Sequence, residues 1–363
     1  MIAPVIALLF FLGYGYLWLM LYRGVRKLDW SGSSTSPKKS LSISILVAHH
    51  NDFEALTNLL RHLEQNFSDL DIPVFLVSDY SDQQAYTSFQ EQYLDSSLNL
   101  HFFSNQDSRG KKQAIAFALE RIESRYILQL DADVLPNENL FSLLKEQLSE
   151  EPEILVARVA MIPSHGFWSR LAALDYCSMQ LSTFAFLAQG RPIMASGATL
   201  VYERKSFLRH KDIGADWQSG EDTFLLQAIG KENKSQVAYS PRLFSETPAP
   251  QDFRSFIKQR LRWGAKSRAY PSHYAKAIAL LVASLNLFLV FGFVASLFYA
   301  YPWYWLFVLS FKLLGDWFLL KSFTQQTGEE RLLKSYLGMA LVYPFYISLV
   351  VLFIPFAPKT KWL

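Results

Sequence analysis

Cysteine is nearly absent. Cys177 is the single one in 363 residues, so no intrachain disulfide can form, which fits a reducing compartment. There is no Cys-x-x-Cys pair and no His/Cys cluster, so neither a thiol redox motif nor a zinc-type spacing is present. Lysine and arginine do not interleave with aromatics in the manner of a nucleic-acid surface. The net charge of +3 is better explained by basic residues flanking apolar runs, and no nucleic-acid partner is expected. Charge is missing altogether from Ile2 to Tyr22, a stretch long enough to cross a bilayer. It has neither a basic segment before it nor a small-x-small cleavage site after it, so it reads as a retained anchor and not as a signal peptide.

What is present is segregated. Hydrophobic residues make up 51% of the chain and pile up at both ends, while the middle has ordinary globular composition. Arg23, Arg26, Lys27, Lys38 and Lys39 follow the first apolar stretch. The positive-inside rule then places the N-terminus outside and the next domain in the cytoplasm, on an inner or plasma membrane. The expected organisation is an anchor over 1–22, a basic and Ser-rich linker over 23–40, and a cytoplasmic domain over 41–270. A membrane block over 275–357 and a basic tail over 358–363 complete it. In the block, Ala275–Ala300 and Pro302–Lys321 read as spans. Tyr336–Phe356 either spans again or, with Pro344 and Pro355, forms a broken hairpin. Lys312 and Asp316 lie four apart, at the spacing of a pair on one helix face: acceptor or ion contacts, or a buried structural pair.

The middle alternates. β-type runs at Leu41–Ala48, Pro73–Val77, Leu98–Phe103 and Tyr126–Asp133 are separated by helix-like segments at Phe53–Asn66, Gln83–Leu94 and Lys111–Glu123. This pattern predicts an α/β fold with a doubly wound, mostly parallel sheet. Beyond it, Ile154–Met161 and Gly197–Tyr202 read as strands, and a helix is expected from Gly220 through Ile229. Two helices are predicted to be interfacial: Phe167–Gln189, rich in large apolar residues, and Gln251–Tyr270, basic and aromatic.

The fourth β-run ends in Asp131-Ala132-Asp133. Residues two apart in an extended chain point the same way, so both carboxylates are expected to face one spot at the strand's C-terminal end, where open α/β sheets bind ligands. Two such charges close together call for a cation, and hard oxygen donors suit Mg²⁺ or Mn²⁺ carrying substrate phosphates. Alone, such a motif after a strand is usually just a polar loop. Asp79 follows the second strand, Glu221 and Asp222 start a helix after a glycine, and Gln259, Arg262 and Trp263 lie on the basic helix. Together they suit transfer from a nucleotide-activated donor: a carboxylate for the nucleoside, a metal for the diphosphate, a base for the attacking hydroxyl. Separately, Asp79 reads as a turn residue, Glu221 and Asp222 as helix-start acids, and Arg262 and Trp263 as interfacial anchors.

The ordered set resembles the family 2 inverting glycosyltransferases of GT-A fold, over about residues 41 to 270. The matching motifs are Ser78-Asp79-Tyr80-Ser81, Asp131-Ala132-Asp133, Glu221-Asp222 and Gln259-x-x-Arg262-Trp263. His50-Asn51-Asp52 looks like the family's nucleotide-contacting first loop, and Gly110-Lys111 like its Gly-Lys after strand three. An N-terminal span with a C-terminal membrane block resembles the membrane-bound branch that includes ceramide glucosyltransferases and polysaccharide synthases.

The resemblance implies Asp222 as general base with Glu221 beside it. It implies Asn51, Asp52, Asp79, Lys111, Asp131, Gln259, Arg262 and Trp263 as nucleotide-sugar contacts, Asp131 and Asp133 as metal ligands, and Gly197 with Trp263 at the acceptor pocket. The implied partners are a UDP-sugar donor, Mg²⁺ or Mn²⁺, and a lipid or membrane-associated acceptor. Departures are Ser78 where the family often has an acid, Tyr80 where it has a glycine, and the His49-His50 pair. The rivals are a processive polysaccharide synthase, which would normally need more spans, and, in other classes, a membrane nucleotidyltransferase or a non-catalytic nucleotide-binding protein.

Overall fold

The structure, a computed structural model, describes residues 2–30, 42–106, 110–214, 217, 220–298 and 303–356. The Ser-rich part of the expected linker (31–40), Leu41, residues 107–109 of the expected polar turn, Pro302 and the basic tail lie outside the described residues.

The chain opens with α1 (Ile2–Val25). The expected alternation follows as β1 (Ile43–His49), α2 (Phe53–Phe67), β2 (Val74–Asp79), α3 (Gln83–Glu91), β3 (Leu100–Asn105), α4 (Lys111–Leu119) and β4 (Tyr126–Leu130). Then come β5 (Leu135–Pro136), α5 (Leu140–Gln147), β6 (Ile154–Ile162), α6 (Phe167–Leu187), β7 (Thr199–Glu203), α7 (Arg204–His210), α8 (Glu221–Glu232) and β8 (Val237–Pro248). The last helices are α9 (Phe253–Lys266), α10 (His273–Ser296), α11 (Trp303–Thr327) and α12 (Tyr336–Phe353).

Every residue of β1 and β4 is buried, as expected of strands covered on both faces. In α2 the buried residues Leu56, Leu59, Leu60 and Leu63 recur at helical spacing, and the Asp52 side chain caps the first turn. The eight strands form one sheet in the order β3-β2-β1-β4-β7-β6-β8-β5. It is parallel from β3 to β4, as the alternation implies. It becomes mixed where β7 pairs antiparallel with both β4 and β6, and β5 with β8.

The described residues form two compact units. One, from 42–160 and 194–248, contains the sheet; the other, from 2–30, 161–193 and 249–356, contains α1, α6 and α9 to α12. In the sheet unit, Ile45, Val47, Leu76, Leu128 and Leu130 pack against Leu56, Leu59, Leu60 and Leu63 of α2 in one core.

Among the described residues of the helical unit, three segments are long and apolar enough to cross a membrane: Pro4–Val25, His273–Ser296 and Glu330–Phe356. α11, expected to be a further span, forms as a helix but is not among them; Lys312, Asp316 and Lys321 interrupt its apolar sequence. Lys312 and Asp316 do pair, and the Tyr14 hydroxyl donates to the same Asp316 carboxylate. Pro344 lies inside an unbroken α12, so the predicted alternative of a hairpin broken there is not adopted. α6, the first of the two helices expected to be interfacial, is buried over most of its length, its apolar side chains packing inside the helical unit. α1 approaches it so closely that a Cβ on Gly24 would stand 2.0 Å from the Ala185 carbonyl oxygen.

Candidate active site

The register of the sheet builds the site. His49 of β1 lies opposite Ser78 of β2, Asp79 opposite Asn105 of β3, and Val47 opposite Leu130 of β4. The parallel strands therefore end on one edge, from which His50, Tyr80, Gln106 and Asp131 emerge. β7 runs antiparallel and starts with Thr199 opposite Leu130, so the segment before it, Ser196 to Ala198, arrives at that same edge. The Asp131 N–H extends the ladder by donating to the Ala198 carbonyl at 3.1 Å.

β4 ends at Leu130, and the Val134 N–H donates to the Asp131 carbonyl at 3.2 Å, so Asp131 to Val134 form a turn. This corrects the expectation of an extended Asp-x-Asp whose side chains point the same way by strand alternation. The two carboxylates still sense one another. Burial first, and then the charge of Asp131, push Asp133 up to about 6. Water reaches Asp133 and screens part of that repulsion, so the direction matters: its ionised form gains from a nearby cation. Its Oδ2 accepts from the Thr247 hydroxyl, at the end of β8, at 3.3 Å.

Lys111, at the start of α4, is buried and paired with Asp131; its Nζ is 3.3 Å from Glu221 Oε1. Burial pulls its pKa down, but the charges of Asp131 and Glu221 outweigh it and the net shift is upward, so the ammonium stays charged. Lys111 is held there by Asp79, whose two carboxylate oxygens accept the Gly110 N–H at 3.1 and 3.0 Å. Gly110 has φ +127°, a conformation that favours glycine. Tyr80 has φ +52°, left-handed for a non-glycine residue, which accounts physically for the glycine that the resemblance expects there.

Glu221 and Asp222 open α8, where the helix dipole favours acids. They have different surroundings. Glu221 is buried, accepting the Gly220 N–H at 2.8 Å on Oε2 and facing Lys111 and Gln129 Nε2 (3.3 Å) on Oε1. Asp222 is half-buried; its Oδ2 accepts the Gly197 N–H at 2.8 Å and its Oδ1 the Thr223 N–H at 2.6 Å.

The structure thus brings Lys111, Asp131, Gly197, Glu221 and Asp222 into one connected group, with Asp133 beside Asp131 and Asp79 behind Lys111. Asn51 and Asp52 are exposed and carry local duties: Asn51 Oδ1 accepts the Asp82 N–H at 2.8 Å, tying the loops after β1 and β2 together, and Asp52 caps α2. Gln259, Arg262 and Trp263 stand on α9, in the helical unit. Arg262 is exposed. Its neighbour Arg260, which was not singled out from the sequence, is buried, pairs with Asp175 at 2.6 Å, donates to Gln259 Oε1 at 3.2 Å and lies 4.5 Å from the centre of the Trp263 ring. Gln129 was also passed over, although a glutamine inside an apolar strand run is itself a signal of a buried hydrogen-bonding duty.

Among the described residues, no group of three or more His, Cys, Asp or Glu is placed to hold a metal ion. The donor set on offer is the pair Asp131 and Asp133. Two carboxylates fit a hard ion that keeps water and takes its remaining ligands from a diphosphate, and do not fit a closed protein cage.

A family model described as "Glycosyl transferase family group 2" matches residues 126–320, more than half the chain. No curated protein matches in sequence. Among solved structures, the chain is similar to the mannosyltransferase PcManGT from Pyrobaculum calidifontis in complex with GDP-Man and Mn²⁺. The identity is 15% and the TM-score 0.59, covering 97% of this chain and 99% of that one. A looser likeness is to glucosyl-3-phosphoglycerate synthase from Mycobacterium tuberculosis with Mn²⁺, UDP and glucosyl-3-phosphoglycerate, at 12% identity and TM-score 0.46, covering 68% of this chain and 88% of that one. At 15% identity the likeness to the mannosyltransferase speaks to the fold alone, which is GT-A. With the family match over the stretch that carries Asp131, Asp133, Glu221 and Asp222, the chain belongs to the family 2 glycosyltransferases.

Proposed function

We propose that the protein is a membrane-bound, inverting, metal-dependent glycosyltransferase that moves a hexose from a nucleotide sugar to a hydroxyl of a lipid or membrane-associated acceptor. The observation that carries the reading is the connected group at the sheet edge: a carboxylate pair suited to a diphosphate-bound cation, a buried lysine beside it, and Asp222 aligned by a backbone N–H on one oxygen. The three apolar helices support a membrane setting, and Arg23, Arg26 and Lys27 after the first of them favour a cytoplasmic sheet unit by the positive-inside rule.

In this reading Asp222 accepts the proton of the acceptor hydroxyl as that oxygen bonds to the anomeric carbon. The bond from that carbon to the diphosphate oxygen breaks on the opposite face, and configuration inverts. Asp131 and Asp133 would hold Mg²⁺ or Mn²⁺, which when bound neutralises the departing diphosphate. Lys111 keeps a fixed positive charge between Asp131 and Glu221, so the acidic cluster tolerates its own repulsion before donor arrives. Asp79 orders the Gly110 turn that positions Lys111. By family resemblance, Asn51, Asp52 and Asp79 are assigned to the nucleoside, Gln259 and Arg262 to the diphosphate, and Gly197 and Trp263 to the acceptor. A UDP-sugar is the expected donor; the likeness to a mannosyltransferase in complex with GDP-Man adds GDP-mannose to the candidates.

The test is nucleoside-diphosphate release by detergent-purified protein, using a panel of nucleotide sugars, membrane lipid extract and Mn²⁺ or Mg²⁺, beside Asp222→Asn. Lipid-dependent release that yields a glycosylated lipid and is lost in Asp222→Asn supports the reading. A long polymer as product would replace it with a polysaccharide synthase. Release undiminished in the variant would remove Asp222 as base.

A further inference from the structure

We propose that Gln129 is a positioning residue for the general base, acting through Gly197; the inference rests on the assignment of Asp222 above. Gln129 is fully buried in the middle of β4, and its amide is used on both ends. Nε2 donates to the Gly197 carbonyl at 3.0 Å and to Glu221 Oε1 at 3.3 Å, and Oε1 accepts from the Tyr202 hydroxyl at 3.1 Å. The orientation of the amide follows from its partners. A carbonyl and a carboxylate can only accept, so they take the NH₂, and the phenol donates to the oxygen.

Gly197 is therefore held from both sides. Its carbonyl is fixed by the strand below it, and its N–H points at Asp222 Oδ2 at 2.8 Å. The fit is tight: a Cβ on Gly197 would lie 3.2 Å from Asp222 Oδ2, 3.2 Å from Gln129 Nε2 and 3.3 Å from Glu221 Oε1. Gly197 thus works as a clasp between the sheet and the start of α8. Gln129 sets where the clasp stands and, with it, the rotamer of Asp222. Glu221 is the fixed member of the acid pair, occupied by Gln129, Lys111 and its own helix start, and it is not free to turn toward an acceptor. Tyr202 holds the other end of the glutamine and touches neither Gly197 nor the acids by hydrogen bond, so it separates loss of the clasp from loss of a buried contact.

Three variants test this: Gln129→Met, the near-isosteric Gln129→Glu, and Tyr202→Phe. The first readout is amide hydrogen exchange of the peptide containing Gly197 in detergent-solubilised protein, which needs no substrate. Exchange at Gly197 is expected to rise about tenfold or more in both Gln129 variants and to stay within about threefold in Tyr202→Phe. Unchanged exchange in the Gln129 variants overturns the clasp. The second readout uses the donor that turns over in the parent. kcat is expected to fall roughly 10- to 100-fold in the Gln129 variants with donor KM nearly constant, because a misplaced base affects the chemical step and not donor binding. An equal fall in Tyr202→Phe, or a fall only in melting temperature, reduces Gln129 to a structural residue. If the parent turns over no donor, the glycosyltransferase mechanism fails while the exchange measurement still decides the clasp.

Discussion

At the scale of single residues, Asp222 and Glu221 show how neighbours divide labour. Both are acids at one helix start, yet only Asp222 is half-exposed, its Oδ2 accepting the Gly197 N–H and its Oδ1 the Thr223 N–H. Asp222→Asn keeps the shape and removes the group proposed as the base. Turnover is expected to fall about 10²- to 10⁴-fold while nucleoside-diphosphate binding, read by calorimetry, persists. Loss of binding in parallel would mean that Asp222 holds the donor. A second residue predicts a pH dependence. His49 is 2% exposed, lies between Phe53 and Tyr86, and has no hydrogen-bond partner on either ring nitrogen. Burial, then the charge of His50, lower its pKa from 6.5 to about 4. Between those values the unfolded chain binds the proton and the folded one does not, so stability is complete above pH 6.5 and lost as pH falls toward 4. The full span is worth about 3 kcal/mol. His49→Phe is expected to match the parent's melting temperature at pH 7.5 and to lose less of it at pH 4.5; a parallel decline in both proteins would place the acid sensitivity elsewhere.

At the scale of elements, legibility follows the source of the signal. β1 to β4 and their helices were readable because burial on both faces writes continuous apolar runs and α2 writes a 3.6-residue period. β8 was not readable: Pro241 and Pro248, with serine, arginine and glutamate between them, erase the alternation, and its pairing comes from the sheet. The turn at Asp131 was misread because an apolar strand does not say at which residue it stops. α9 was readable as amphipathic, but which arginine is buried was decided by Asp175 on α6, out of reach of any local pattern. That pair carries a prediction. Asp175 also accepts from Tyr346, so α6, α9 and α12 meet on one carboxylate. Arg260→Met alone leaves that charge unpaired and is expected to destabilise by about 3–5 kcal/mol, whereas Arg260→Met with Asp175→Leu loses clearly less. Melting in detergent checks it; additive losses would show that the pair contributes no coupling.

At the scale of the whole molecule, the question is whether the N-terminal helix is a tether or a structural part of its unit. A tether could be cut without consequence for the rest. The contacts of α1 argue otherwise. The Trp18 indole N–H donates to the Gly315 carbonyl of α11 at 2.9 Å, and the Met20 carbonyl accepts from Gln189, just past α6, at 2.8 Å. The close approach at Gly24 leaves no room for a side chain against α6. Tyr14 completes the polar group around Asp316 and Lys312, a pair expensive to leave exposed in an apolar setting. Removing residues 1–30 therefore does more than delete one apolar helix. It bares the faces of α6 and α11, leaves the apolar segments of α10 and α12 in place, and strips a hydrogen bond from the Asp316 carboxylate. The truncated protein is expected to stay in the membrane or aggregated fraction after carbonate washing, and to elute in the void volume in a detergent where the full chain is monodisperse. A soluble, monodisperse truncation would show that α1 is a tether after all, and that the remaining helices bury their apolar faces without it.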